Sequence, residues 1–441
     1  MLVIEAKAYV KGKFQDCAIG VEDGRITSVK KTLHGDERID YGEMLLLPGA
    51  IDIHVHFREP GLTYKEDFQS GSTAAVMGGV TTVFDMPNTL PPTTTFRQYE
   101  AKMEIASGKS LADFGIYSAI SKAQEIPRLA KAGTPFKLYL APTTGELAVG
   151  DDKVDELLGK IPDGAPIAVH AEDPARFKGS SAGNLIQHDL SRPIASECSS
   201  IEMLGTKGRR FHITHVTSED GLGICTSNGF TTDATPHHML LDSAARIGQL
   251  GKVNPPIREP AEREKLWRAF KEGRIDMIAS DHAPHTEEEK DLAFKDAPAG
   301  MPGVETMIPL MLRRVRRGEL SMERLISAAC EKPAEMMGLN KGKIEVGLDA
   351  DFMVLDLRDV AKIKARKLHS KCGWSAFENW EVVFPKAIYL RGDLIVHQGE
   401  IVEDAMGKPV EMRREADAVR SRHSNTRPPA SALDRGGNPA C

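Results

Sequence analysis

From residue 50 onward the chain carries eight short runs rich in β-branched and aromatic residues, at 51–57, 80–85, 114–120, 135–141, 166–170, 211–216, 229–235 and 275–280. Amphipathic segments such as 96–107, 260–272 and 321–337 lie between or after them. Strands that alternate with helices over this length imply a parallel sheet, because each crossover must return the chain to the same edge. Eight such units point to a closed, TIM-like (β/α)8 barrel, an α/β fold whose chemistry sits at the C-terminal ends of the strands. An open doubly wound sheet is the competing architecture. It is disfavoured because no Gly-x-Gly-x-x-Gly turn follows any early strand.

The two ends of the chain read differently. Leu2–Val10, Phe14–Glu22 and Arg25–Lys30 are strand-like, with Asp23-Gly24 as a hairpin signal. Strand character returns after residue 340 at Gly342–Glu345, Asp351–Asp356, Ala387–Arg391 and Leu394–His397. Two β-rich ends flanking a barrel most simply pair, so residues 1–49 and 341–411 are expected to form one small β-sandwich domain around a barrel of residues 50–340. From Met412 the chain is Arg-, Ser- and Pro-rich and nearly free of large apolar residues. Such a segment buries too little to offset its ordering entropy, and 412–441 is expected to be disordered.

Composition removes several function classes. A net charge of −6 gives no general attraction to nucleic acid or to an anionic membrane. No apolar run approaches the roughly 20 residues of a membrane span. The start, Met1-Leu2-Val3-Ile4-Glu5, lacks a basic region and a cleavage site. Cysteines 17, 198, 225, 330, 372 and 441 show no paired spacing, which suggests neither a disulfide framework nor a Cys-based zinc site. A cytoplasmic protein is expected.

The chemistry collects at one end of the expected barrel. In Ile51-Asp52-Ile53-His54-Val55-His56-Phe57-Arg58, apolar residues alternate with polar ones, so His54 and His56 project the same way and can reach one metal ion. Lys137 falls within the fourth strand, His170 ends the fifth, His215 is near the end of the sixth, and Asp281 follows the eighth. Any one of these alone reads as structural; all six at one end read as a metal site. Four histidines and an aspartate exceed the ligands of a single zinc, which indicates two ions. Two cations held close need an anionic bridge. A neutral Lys137 could react with carbon dioxide to give a carbamate with two oxygens, one for each ion.

These residues carry a family resemblance. His54-Val55-His56-Phe57-Arg58-Glu59-Pro60-Gly61, Phe84-Asp85-Met86-Pro87-Asn88-Thr89, Phe136-Lys137-Leu138-Tyr139-Leu140, His170-Ala171-Glu172-Asp173, His212-Ile213-Thr214-His215-Val216 and Ser280-Asp281-His282-Ala283-Pro284-His285 resemble the motifs of dihydroorotases of the amidohydrolase superfamily, over roughly residues 1–410. The resemblance implies two zinc ions, one on His54, His56 and Asp281, the other on His170 and His215, bridged by carboxylated Lys137 and a hydroxide. Some relatives bridge instead with an aspartate in an Asp-Asp-Gly turn. This chain has Gly150-Asp151-Asp152-Lys153, so the lysine type is favoured and Asp151 is the alternative.

The implied reaction is the reversible interconversion of N-carbamoyl-L-aspartate and L-dihydroorotate, a step of pyrimidine synthesis, with Asp281 as general base and then general acid. Arg58, Asn88 and His285 match positions that hold the substrate carboxylate. Asn254 and the turn containing Ala299, Gly300 and Pro302 match further substrate-contacting positions. His237 and His238 follow the seventh strand without a ligand role, and a supporting role is expected of both. As partners the resemblance suggests a homodimer and association with aspartate carbamoyltransferase. Two rival readings are a dihydropyrimidinase- or allantoinase-like hydrolase, and a silent homologue that scaffolds the carbamoyltransferase. Arg58 opposes the first, since those substrates lack the ring carboxylate. The complete ligand set opposes the second.

Overall fold

The computed structural model describes residues 1–179, 182–402 and 406–413. The N-terminal strands β1 (Leu2–Val10), β2 (Lys13–Glu22), β3 (Arg25–Lys30) and β4 (Glu37–Pro48) lead into the barrel strands. Those are β5 (Ala50–Val55), β6 (Val80–Asp85), β7 (Asp113–Ile116), β8 (Ser118–Ala119), β9 (Phe136–Tyr139), β10 (Ile167–His170), β11 (His212–Ile213), β12 (Thr231–Ala234) and β13 (Met277–Ile278). All eight expected runs contain a strand, and the run at 114–120 holds both β7 and β8. After the barrel come β14 (Phe352–Leu355), a short hairpin of β15 (Ala361–Lys362) and β16 (Glu381–Val382), then β17 (Ala387–Leu390), β18 (Asp393–His397) and β19 (Glu400–Ile401).

The barrel strands pair in two parallel groups, β5-β6-β7 and β8-β9-β10-β11-β12-β13. Tyr117, between β7 and β8, donates its N–H to Asp85 O of the first group at 3.0 Å, and the next residue, Ser118, begins the second group, its N–H donating to Pro135 O at 2.9 Å. At the far side, Val55 forms a parallel bridge with His282, and the His56 N–H donates to His282 O at 2.8 Å. Every residue of β5 is buried, Asp52 and His54 as fully as Ile51 and Ile53. Burial on both faces is what a parallel sheet covered by helices demands. The polar face read from the sequence is therefore an interior face, so each polar group on it needs a partner.

The two chain ends meet in one eight-stranded sheet of order β19-β18-β17-β14-β4-β1-β2-β3. The Asp23-Gly24 turn has φ of 49° and 75°, the left-handed pair that a tight hairpin requires. β4 is the seam, parallel to β1 and antiparallel to β14. Its polar first half hides it from a hydrophobicity reading, and the pairing slips between Glu5 and Lys7, opposite the left-handed Gly42. The expected strand Gly342–Glu345 does not form. Gly342 has φ 88°, and a Cβ there would lie 2.4 Å from Cys330 O, so the chain turns tightly at that point.

Residues 406–413 run along the barrel. The Phe114 N–H donates to Lys408 O at 3.0 Å, the Val410 N–H to Phe114 O at 2.9 Å, and the Arg413 N–H to Gly338 O at 3.0 Å. Met412 is half-buried and Arg413 is hydrogen-bonded, so these two residues of the segment expected to be disordered are ordered against the barrel; 414–441 lie outside the described residues. Among the described residues no helix is long and apolar enough to cross a membrane.

Barrel and terminal sheet are joined by a buried ionic knot. Lys341 Nζ donates to Asp113 Oδ2 at 2.8 Å and also to Asp351, while Arg391 pairs with Asp113 through its guanidinium and with Asp351 through its backbone N–H. Lys341→Met would leave the Asp351 carboxylate buried without a balancing cation, while Asp113 keeps Arg391. Breaking such a pair costs about 3–5 kcal/mol. Equilibrium urea denaturation should show a loss of that order, and an unchanged midpoint would rule the knot out as a clamp.

Candidate metal centre

The ligand candidates stand on five strand ends. His54 lies in β5 and His56 just after it, Lys137 in β9, His170 closes β10, His215 follows β11, and Asp281 follows β13. The loop after β5 is fixed by the Phe57 N–H, which donates to Asp85 Oδ1 at 2.6 Å. Arg58, His215 and Asp281 all have left-handed backbones, with φ of 62°, 42° and 45°. Non-glycine residues hold such conformations only where surrounding bonds impose them. Here the His215 N–H donates to Asp233 Oδ1 at 2.7 Å, and the Ser280 N–H to Asp52 Oδ1 at 3.1 Å.

These constraints bring the donors together. His54 Nε2 and His56 Nε2 are 3.3 Å apart, and Asp281 Oδ1 lies 3.4 Å from the first and 3.1 Å from the second. His54, His215 and Asp281 each offer a donor atom within 4.8 Å of the others. His170 Nδ1 approaches His215 Nε2 at 3.1 Å. Lys137 Nζ donates to Thr214 Oγ1 at 2.9 Å, one residue from His215.

Protonation decides what so many acceptors can do. Burial, reinforced by Lys137 and the neighbouring imidazoles, holds His54 well below its ordinary pKa. His215 is depressed by burial, His170 and Lys137, and burial depresses His56 despite Asp281. Burial is the largest influence on the Asp281 carboxyl and raises it, but the nearby His56, His237 and Lys137 together outweigh burial and the net shift is downward. Burial also lowers Lys137, to about 7, against the pull of Asp233 and Asp281.

Outer partners then aim the lone pairs. His56 Nδ1 meets Asn88 Oδ1 at 2.6 Å, so the proton sits there and the Nε2 lone pair faces Asp281. His170 Nε2 meets Glu172 Oε2 at 2.8 Å, which leaves Nδ1 bare toward His215. The bare nitrogens of His56 and His170 lie 3.1 Å from Asp281 and from His215, lone pairs that a cation among these groups could take up. Neutral imidazoles with an ionised carboxylate are the donor set that suits a divalent metal.

The Amidohydrolase family pattern matches residues 45–387. The chain belongs to the amidohydrolase family. It is 38% identical over 425 residues to the dihydroorotase of Methanosarcina acetivorans, covering 88% of this chain and 90% of that protein. To the dihydroorotase of Thermoplasma volcanium it is 37% identical over 406 residues, covering 91% and 95%. Among solved structures, the L-hydantoinase (dihydropyrimidinase) of Arthrobacter aurescens superposes with a TM-score of 0.87 at 29% identity, covering 93% of this chain and 99% of that one.

The expected substrate residues of this amidohydrolase take varied positions. Arg58 is buried, its Nε donating to Pro284 O at 3.1 Å and its Nη2 lying 3.3 Å from His285 Nε2. His285 Nε2 also reaches Ala299 O at 3.0 Å. Gly300 has φ 139°, and a Cβ there would meet Ala283 O at 2.4 Å and the His285 ring at 3.0 Å. Glycine is needed at that position for close packing, whatever the substrate. Pro302 lies in the same turn. Asn88, expected on the substrate, holds His56 and donates to Thr143 Oγ1 at 3.2 Å. Asn254 Oδ1 accepts from His188 Nε2 at 3.0 Å.

His238 is tied to Pro255 O and Thr235, whereas the buried Nε2 of His237 has no partner among the described residues. Asp151, the alternative bridge, is exposed at the start of helix Asp151–Leu158 and is not among the grouped donors His54, His215 and Asp281.

Sequence reading assigned no role to Glu172, Arg192 or Lys65. Only the His-x-Glu spacing of His170 and Glu172 hinted at the first. Burial tends to raise the Glu172 carboxyl, but Arg192, bound at 3.0 Å and 2.6 Å, and His170 drive it far below the ordinary range. It is thus a fixed anion that holds the His170 proton at Nε2. Carboxylates in this position typically contribute 10–100-fold to metal affinity. Glu172→Gln should weaken zinc retention by about that factor in chelator competition; unchanged retention would deny Glu172 this role.

Proposed function

We propose that this amidohydrolase is a dihydroorotase, interconverting L-dihydroorotate and N-carbamoyl-L-aspartate in pyrimidine synthesis, which implies the cytoplasm. The observation that carries the reading is a buried guanidinium, Arg58, at the rim of the metal-donor cluster. A buried Arg fork calls for an anion, and the ring carboxylate of dihydroorotate supplies one.

The residues fit two zinc ions, His54, His56 and Asp281 for one, His170 and His215 for the other. The carbamate of Lys137 would lie between them. Burial favours the neutral amine of Lys137, and Nζ of that amine attacks carbon dioxide, forming an N–C bond and releasing one proton. When bound, the metals would polarise the scissile carbonyl and acidify a water nucleophile.

The chain's own residues do the rest. Asp281, kept ionised, takes the proton of the nucleophile and delivers it to the leaving ring nitrogen; the same proton moves back during ring closure. Arg58 clamps the carboxylate and orients the ring, with Asn88, Asn254, His285 and the 299–302 turn lining the remaining sides.

The reading takes residues 50–340 as a closed catalytic barrel and the paired chain ends as a small sandwich. The Val55–His282 bridge supports closure. The paired chain ends form one continuous sheet, so the sandwich requires that sheet to fold over a core that includes Ile4, Ile19, Phe352 and Tyr389. A second reading, hydrolysis of a neutral cyclic amide, is favoured by the likeness to L-hydantoinase. Against it, Arg58 would then face no anion.

The test is turnover of dihydroorotate, dihydrouracil and allantoin by the zinc-loaded enzyme, with Arg58→Met alongside. Losing a charge-assisted bond of about 1.5–3 kcal/mol should raise KM for dihydroorotate about 10–150-fold. Zinc content and any dihydrouracil hydrolysis should hardly move. Preference for a neutral ring, or equal losses on both substrates, would refute the assignment.

A further inference from the structure

The side of the site that faces the substrate carboxylate contains a second buried cation that the reaction scheme does not use. Lys65 follows the Pro60-Gly61 turn, its backbone N–H donating to Leu62 O at 2.9 Å. Its side chain is buried, with Nζ 2.8 Å from Glu289 Oε1 and 3.1 Å from His285 Nδ1. Glu289 is itself held by the Thr286 N–H at 3.1 Å and by the Tyr64 hydroxyl at 3.4 Å.

We propose that Lys65 is a positioning residue that sets the tautomer of His285 and thereby leaves the guanidinium of Arg58 free for the substrate. Two groups face Nδ1: Lys65 Nζ, which can only donate, at 3.1 Å, and Glu289 Oε2 at 3.4 Å, which already accepts from the Thr286 N–H; the nearer contact takes the Nδ1 lone pair. Neutral His285 then carries its proton on Nε2, where Ala299 O accepts it at 3.0 Å. Arg58 Nη2, 3.3 Å from the same nitrogen, faces an N–H and cannot donate to it. Among the described residues the only protein acceptor left to the Arg58 guanidinium is Pro284 O, through Nε.

The opposite tautomer wires the site differently. With the proton on Nδ1, His285 would accept from Arg58, Lys65 would face an N–H, and Ala299 O would lose its donor. Lys65 chooses between an arginine bound to the protein and one available to an anion. In the chosen state His285 also pins the 299–302 turn beside Arg58.

The effect on the substrate carboxylate rests on the dihydroorotase reading, whereas the tautomer does not. The experiment therefore has two arms on the zinc-loaded enzyme. The first is the ring 15N spectrum of His285, assigned by its loss in His285→Gln. The expected wild-type result is protonation at Nε2 alone. In Lys65→Met the proton should move to Nδ1, and Lys65→Arg, which keeps the donor, should restore Nε2.

The second arm is kinetic. Lys65→Met should raise KM for dihydroorotate about tenfold with kcat held within about twofold, and Lys65→Arg should recover most of the loss. Zinc content should not change. A wild-type His285 protonated at Nδ1 overturns the proposal, and that spectrum decides it even if Lys65→Met does not fold. A Lys65→Met enzyme that keeps Nε2 protonated, an unmoved KM, or a loss confined to kcat overturns it as well. Failure of the wild type to turn over dihydroorotate would instead defeat the functional reading and leave the tautomer to be judged by its spectrum.

Discussion

Crowding of buried imidazole nitrogens around one carboxylate is the constraint on which this molecule turns. His54, His56, His170, His215 and Asp281 are driven together at a dry end of the barrel, and burial keeps the imidazoles of His54, His56 and His215 neutral. Taking so many polar groups out of water costs free energy. A cation shared among them turns the same distances into coordination. The site is thus a folded state that metal completes, and metal binding and local stability are linked there.

Keeping such a cluster in place requires the surroundings to be rigid and polar in the right spots. Asp52 and Asp233 take up the N–H groups of His54, Ser280 and His215, which supports the left-handed backbones of His215 and Asp281. Asn88 and Glu172 decide which nitrogen of His56 and His170 is bare. Lys65 exerts the same control over His285, on the carboxylate side. The terminal sheet takes part at a distance. Its excursion between β14 and β17 lays Trp374 under the site, where the indole N–H donates to His285 O at 2.8 Å.

Much of this was legible from the chain alone, and the reasons are specific. Residues 51–58 announce themselves because strand period, two histidines and an arginine coincide in one short run. The barrel runs are visible because strands buried on both faces are near-continuous in β-branched and apolar residues. β4 escaped because its first half is polar and exposed, and what makes it a strand is pairing with β1 and β14. Gly342–Glu345 misled because a glycine turn with apolar neighbours resembles a strand end. Lys65 was silent because its meaning depends on His285, 220 positions away, and no local period encodes that meeting. Asn88 matches a substrate position by motif, and its hold on His56 is a further role that no local pattern encodes.

The central claim is that this cluster holds a pair of metals joined through Lys137. Anomalous diffraction at the zinc edge, from crystals grown with zinc and bicarbonate, addresses it most directly. Two peaks are predicted, one among His54, His56 and Asp281 and one between His170 and His215, with density extending from Lys137 Nζ toward both. A single peak, or an unmodified Lys137 in crystals of enzyme with full activity, would contradict the account.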